Sequence, residues 1–139
     1  MISVQHVPLQ YVHQTWPLVE DYINSAIMLG DPGEALYNLD HIKQYVTSGQ
    51  WEMFVAVDEY NKIHGAVTVV YNNYPLHRVA FATAIGGKLI VSKEAMLQFK
   101  ELLKQRGVTL LQAYGRESIV RLWKRYNFES RNTLVELPL

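Results

Sequence analysis

Between residues 51 and 87 the spacing of apolar residues changes, and this constrains the fold more than any other feature. "WEMFVAV", "IHGAVTVVYNNY" and "HRVAFATAIGG" are three runs rich in Val, Phe and Tyr. The polar stretch "DEYNK" parts the first two, and Pro75 lies between the second and third. Breaks this short suit antiparallel neighbours, because a parallel pair needs a long crossover. Three consecutive antiparallel strands are therefore expected over residues 51–87.

On either side the spacing is helical. "TWPLVEDYINSAIML" reads as a helix with Thr15 as cap, Pro17 in the first turn, and Glu20 and Asp21 following. Val19, Tyr22, Ile23, Ala26 and Ile27 form its apolar stripe. "GDPGEA" breaks the chain, and "NLDHIKQYVTSG" is a shorter helix that Gly49 can terminate. After the strands, "SKEAMLQFKELLKQRG" is a helix that Ser92 can cap and Gly107 can close. "VTLLQAYG" is a strand, "ESIVRLWKRYNF" a short helix and "RNTLVELPL" a last strand; "ISVQHV" supplies the first. The expected fold class is α/β in the mixed (α+β) sense: one domain over residues 1–139 with a mostly antiparallel sheet flanked by helices. The strand at 108–115 should lie parallel to that at 77–87, because a helix connects them.

Composition narrows the function. A chain of 139 residues fits one domain with a real core. It has no cysteine, so disulfides and thiolate metal sites are excluded. Thirteen basic residues balance thirteen acidic ones, which argues against nucleic acid as a partner. Residues 1–10 lack a basic, apolar leader, and no apolar run is long enough to span a bilayer. A soluble intracellular protein without a signal peptide or membrane partner is the expectation. Nine tyrosines suit half-buried strands and equally a surface that docks on a partner.

Sites are sparse. Five scattered histidines give no metal-binding spacing, and no P-loop or nucleophile elbow occurs. As bases, His64 and His77 flank the central strands and Glu52 lies on the first of them. Arg116, Arg121, Lys124 and Arg125 form a local basic patch, either a solvated helix face or a contact to an acidic partner. In "FATAIGGKLIVSKEAMLQFK" a strand reaches Gly86 and Gly87 before a helix start. That sequence can build a phosphate cradle, or it can bend and end an ordinary strand.

The order of elements resembles the GNAT superfamily of acyl-CoA-dependent N-acyltransferases. "VTLLQAYGRESIVRLWKRYNFES" is similar to the family's late strand–helix block, with Phe128 at the usual phenylalanine and Asn127 where glycine is usual. A narrower likeness, to small bacteriophage-encoded GNAT-like proteins, rests on "TSGQWEMFVAV", "HGAVTVVYNNYP", "HRVAFATAIGG" and "LQAYGR", in that order.

The resemblance implies acetyl-CoA as cofactor, held by a glycine-rich loop at the helix start, and an acid that protonates the leaving thiolate. Gly86, Gly87, Lys88, Ser92 and Lys93 occupy the loop's place. However, the glycines come early, "SKEAM" has none, and Glu94 adds a charge of the wrong sign. A structural role for the glycines is expected, as a bulge or splay that ends pairing. Lys88 or Lys93 could still meet phosphates from the side. Trp123 stands at the usual acid's position and should be core; Tyr126 and Tyr114 are the substitutes. These departures favour a chain without bound acetyl-CoA that docks on a viral or host protein, in the virion or the host cytoplasm. An active N-acetyltransferase is the alternative. The oligomeric state is not legible.

Overall fold

The computed structural model describes residues 1–30, 36–115 and 117–139. The "GDPGEA" break falls largely, and Arg116 wholly, outside the described residues.

The chain begins with strand β1 (Ser3–His6) and helix α1 (Leu9–Gly30), followed by helix α2 (Leu39–Thr47). Strands β2 (Glu52–Val57), β3 (Ile63–Asn73) and β4 (Arg78–Gly87) then run in succession. Helices α3 (Lys88–Val91) and α4 (Lys93–Gln105), strand β5 (Leu110–Ala113) and helix α5 (Glu117–Lys124) complete the order. The five strands form one sheet in the order β1-β2-β3-β4-β5. Every neighbouring pair is antiparallel except β4 and β5, which are parallel, as the connecting helices require.

Alternation along the strands sorts the core into two layers. Met53 and Val55 face α1 and α2, where they meet Trp16, Ile23, Ile42 and Val46. Phe54 and Ala56 face the opposite way, with Val67, toward α4 residues Phe99 and Leu103 and toward Trp123 of α5.

Three expectations are corrected. First, α1 starts six residues before Thr15. The Thr15 hydroxyl donates back to the Tyr11 carbonyl at 2.8 Å and caps nothing, and Pro17 lies inside the helix. An interior proline costs roughly 3 kcal/mol. The helix persists because Val12, Trp16, Val19 and Ile23 are all buried along one stripe. Second, the bulge lies at Thr83, not at the glycine pair. Thr68 pairs with Ala84 and Val69 with Ala82, leaving Thr83 as the extra residue, while Gly86 and Gly87 stay paired with Ala66 and Gly65. Third, "RNTLVELPL" forms no strand. Residues 129–139 are exposed and unpaired, so the alternating pattern has no surface to satisfy it. The penultimate strand is also shorter than its expected range of 108–115.

Candidate functional site

Among the described residues, the parallel strands part before β4 ends. β4 and β5 pair from Val79 with Leu110 to Ala82 with Ala113, and no further. β4 then continues to Gly87, while β5 ends at Ala113. The bulge at Thr83 begins where that pairing ends. The Thr83 hydroxyl bonds the Thr68 hydroxyl at 2.7 Å and the Thr68 carbonyl at 3.1 Å, which fixes the bend.

The glycines at the end of β4 are used in packing. A Cβ on Gly86 would lie 2.6 Å from the Tyr22 carbonyl oxygen, so α1 sits directly on this strand. Gly87 has φ +69, and its Cβ would come within 2.3 Å of the His64 carbonyl oxygen. On the facing strand, a Cβ on Gly65 would meet Lys88 N at 2.8 Å and Leu89 N at 3.1 Å. The amides that open α3 are therefore pressed onto β3. The structural role expected for the glycine pair takes this form: three glycines bring α1, β3 and α3 together.

Trp123 of α5 and Tyr126 in the turn after it bind the far end of α3. Trp123 is buried and its indole N–H donates to the Ile90 carbonyl at 3.3 Å. The Tyr126 hydroxyl donates to the Val91 carbonyl at 3.0 Å. Phe128 stacks on Trp123 with ring centroids 5.3 Å apart. Next in sequence, Ser92 caps α4 by accepting from Ala95 N at 3.1 Å, and Glu94 lies in the first turn.

The sequence-derived site residues divide accordingly. Gly86, Gly87, Lys88, Ser92 and Lys93 follow one another around the α3 turn, with both lysines exposed. Tyr126 is brought to this turn. Tyr114 instead sits edge-on to Phe81, with centroids 5.1 Å apart, and is exposed. The residues present do not fit a pyrophosphate grip: the glycines are filled by backbone, the Ser92 oxygen occupies one helix-start amide, and Glu94 repels anions.

The base candidates lie elsewhere and apart. His64 Nε2 is 2.8 Å from Asp58 Oδ2 in the β2–β3 turn, and His77 Nδ1 is 3.0 Å from Thr109 Oγ1. Glu52 joins a cluster that sequence reasoning missed. Its carboxylate contacts His6 Nε2 at 2.5 Å and Arg106 Nε at 3.5 Å. Burial pushes His6 below its ordinary value; the Glu52 charge opposes this and the Arg106 charge adds to it. The Tyr71 hydroxyl is buried beside Glu52 with no partner in hydrogen-bond geometry, and burial pushes it above the ordinary tyrosine value. Arg78 stacks over the Tyr71 ring, 4.6 Å from its centroid. No short-range spacing links residues 6, 52, 71, 78 and 106. Strand register brings the first four together at the end of the sheet away from Gly87, and the C-terminal end of α4 supplies Arg106.

No family model matches the chain, and no curated protein matches it in sequence. Solved structures do. A probable acetyltransferase superposes with TM-score 0.70 at 14% identity, covering 98% of this chain and 97% of that one. An aminoglycoside acetyltransferase from an uncultured soil metagenomic sample, in complex with sisomicin, gives TM-score 0.67 at 9% identity over 99% and 96%. A predicted acetyltransferase of Clostridium acetobutylicum, with acetyl-CoA, gives 0.63 at 13% over 99% and 96%. This chain has the GNAT fold. No described helix is long and apolar enough to cross a membrane.

Proposed function

We propose that this chain is a GNAT-fold protein that no longer transfers acyl groups and acts by docking on a protein partner. One observation carries the reading. The Tyr126 hydroxyl, nearest in place to the expected acid, is committed to the Val91 carbonyl, and Trp123 beside it is committed to Ile90. Both tie α5 and the turn after it to the end of α3. The glycine packing and Glu94 support the same conclusion from the phosphate side. The four landmarks that resemble small bacteriophage-encoded GNAT-like proteins support a viral or host protein as that partner, with the chain virion-associated or in the host cytoplasm.

A second reading, an active acyl-CoA-dependent N-acetyltransferase, is favoured by the bulge at Thr83, which parts the strands where a thioester arm would enter.

Calorimetric titration of acetyl-CoA separates the two. Weak or undetectable heat is expected. Micromolar binding, together with thiol release in the presence of amines, would establish the enzyme instead.

A further inference from the structure

The chain is neutral as a whole, but its charges are sorted along the sequence. Residues 1–42 carry five acidic residues and neither lysine nor arginine. Residues 88–131 carry ten basic residues and four acidic ones. The fold turns this sorting into two faces. Helices α1 and α2 belong to the acidic part or its end and cover one side of the sheet; α4 and α5 belong to the basic part and cover the other. One outer surface is therefore acidic and the opposite one basic.

The side chains bear this out. On the first side Asp21 and Asp40 are exposed and Glu20 is half-buried. On the second, Lys93 and Lys100 of α4 and Arg121, Lys124 and Arg125 of α5 are exposed. None of these eight joins an ion pair among the described residues. Arg121 and Arg125 stand one helical turn apart, a like-charged spacing that works against α5 by itself. Each face also carries apolar surface among its charges. Leu18 is exposed one turn before Asp21, and Leu97 is exposed between Lys93 and Lys100, beside a shallow groove that Val4 and Leu102 help to line. Covering such residues would exclude water from the neighbouring charges and strengthen their attraction.

We propose that copies of this chain stack head to tail, the basic α4–α5 face of one on the acidic α1–α2 face of the next. A second copy is the occupant that the charges favour, because this one chain presents both halves of the complementary pair. Its zero net charge lets copies approach without overall repulsion. The contact is heterologous. Its two halves lie on opposite sides of the sheet, so the first pairing leaves one face of each kind free and growth continues beyond a dimer. Exposed ion pairs are individually weak, so stacking should be collective, dependent on concentration and sensitive to salt. The inference does not depend on whether the chain transfers acyl groups.

Sedimentation equilibrium of the full chain tests this. The Debye length is about 30 Å at 0.01 M salt and about 3 Å at 1 M. The mass should rise with concentration past that of a dimer at the lower salt and fall to that of a monomer at the higher. Charge exchange then tests the pairing. A chain with Arg121→Glu, Lys124→Glu and Arg125→Glu presents acid on both sides, and one with Glu20→Lys, Asp21→Lys and Asp40→Lys presents base on both. Each should be monomeric alone at low salt, and an equal mixture of the two should assemble. Should either reversal change the near-ultraviolet spectrum, the milder set Arg121→Gln, Lys124→Gln and Arg125→Gln should still weaken association by roughly tenfold. A natural chain that is monomeric at low salt, association that salt does not move or that stops at a dimer, folded reversed chains that fail to assemble when mixed, or a glutamine set that associates unchanged would each overturn the proposal.

Discussion

The indole N–H of Trp123 in α5 donates to the carbonyl of Ile90 in α3, three elements earlier in the chain. One side chain thus does two jobs. Its rings fill the layer beneath α5 beside Phe128, and its N–H satisfies a carbonyl at the end of α3. Trp123 is thereby the residue that fastens α5 down.

Truncating it tests this role. Trp123→Ala should cost about 3–5 kcal/mol, as burying and then deleting a large aromatic does. Trp123→Phe keeps much of the packing and loses the hydrogen bond, a further term of about 1 kcal/mol. Urea unfolding of both variants should rank them in that order. Trp123→Tyr should remain folded and inactive; acetyltransferase activity appearing there would show a productive acyl-CoA site behind the indole.

The glycines make a second, graded prediction. Gly87 and Gly107 both have positive φ, at +69 and +78. Their surroundings differ: a Cβ on Gly107 would meet only the Arg78 side chain at 3.8 Å, whereas on Gly87 it would strike the His64 carbonyl oxygen. Gly107→Ala should therefore cost only the backbone strain, about 1–2 kcal/mol. Gly87→Ala should cost more than that, because backbone must also move. Equal losses in chemical denaturation would mean that the α1–β3–α3 junction is looser than its contacts indicate.

Much of the scaffold was legible because it repeats simple signals. The three central strands are dense in Val, Phe and Tyr, and Gly49, Ser92 and Gly107 mark helix ends where the structure has them. The start of α1 was not legible. Proline at a helix start and proline tolerated inside a well-packed helix look alike along the chain, and only the burial of Val12 and Trp16 distinguishes them. The bulge at Thr83 depends on register with Thr68, a relation between strands that no single run of residues contains. The same holds for Glu52, which was visible as an acid on a strand but not as the neighbour of His6 and Arg106. The last segment has a strand's composition, yet pairing is decided by whether an edge is presented to it.

Acid should weaken the fold through Asp58. A hydrogen bond from His64, and then the backbone N–H groups of Lys62 and Tyr60, hold its carboxyl at about 2, below the ordinary 3.8. A carboxyl whose folded value is depressed stabilises the fold above its unfolded value, and this is lost as pH falls through the folded one. The loss should therefore run from about pH 4 down to about pH 2. Denaturation midpoints measured through that window should fall more steeply for the natural chain than for Asp58→Asn. Parallel curves would mean that the turn contributes nothing ionic.

Acetyl-CoA binding is the remaining test, and the structure sharpens what should restore it. Glu94 lies in the first turn of α4, where a negative charge opposes an incoming phosphate by roughly 0.3–1 kcal/mol at an exposed helix end. Removing that charge changes affinity by at most about fivefold. Glu94→Gly alone should accordingly leave binding weak or undetectable, because the amides opening α3 remain pressed on Gly65 and the Ser92 hydroxyl still holds Ala95 N. Tyr126→Phe should lose about 1 kcal/mol of stability with its bond to Val91 and gain no affinity. The measurement is calorimetric titration of acetyl-CoA into the natural chain and both variants. Strong binding appearing in Glu94→Gly would mean that charge, and not the packed glycine junction, keeps the cofactor out. Strong binding to the natural chain, lost neither in Glu94→Gly nor in Tyr126→Phe, would place acyl-CoA at a site that neither the α3 turn nor α5 forms.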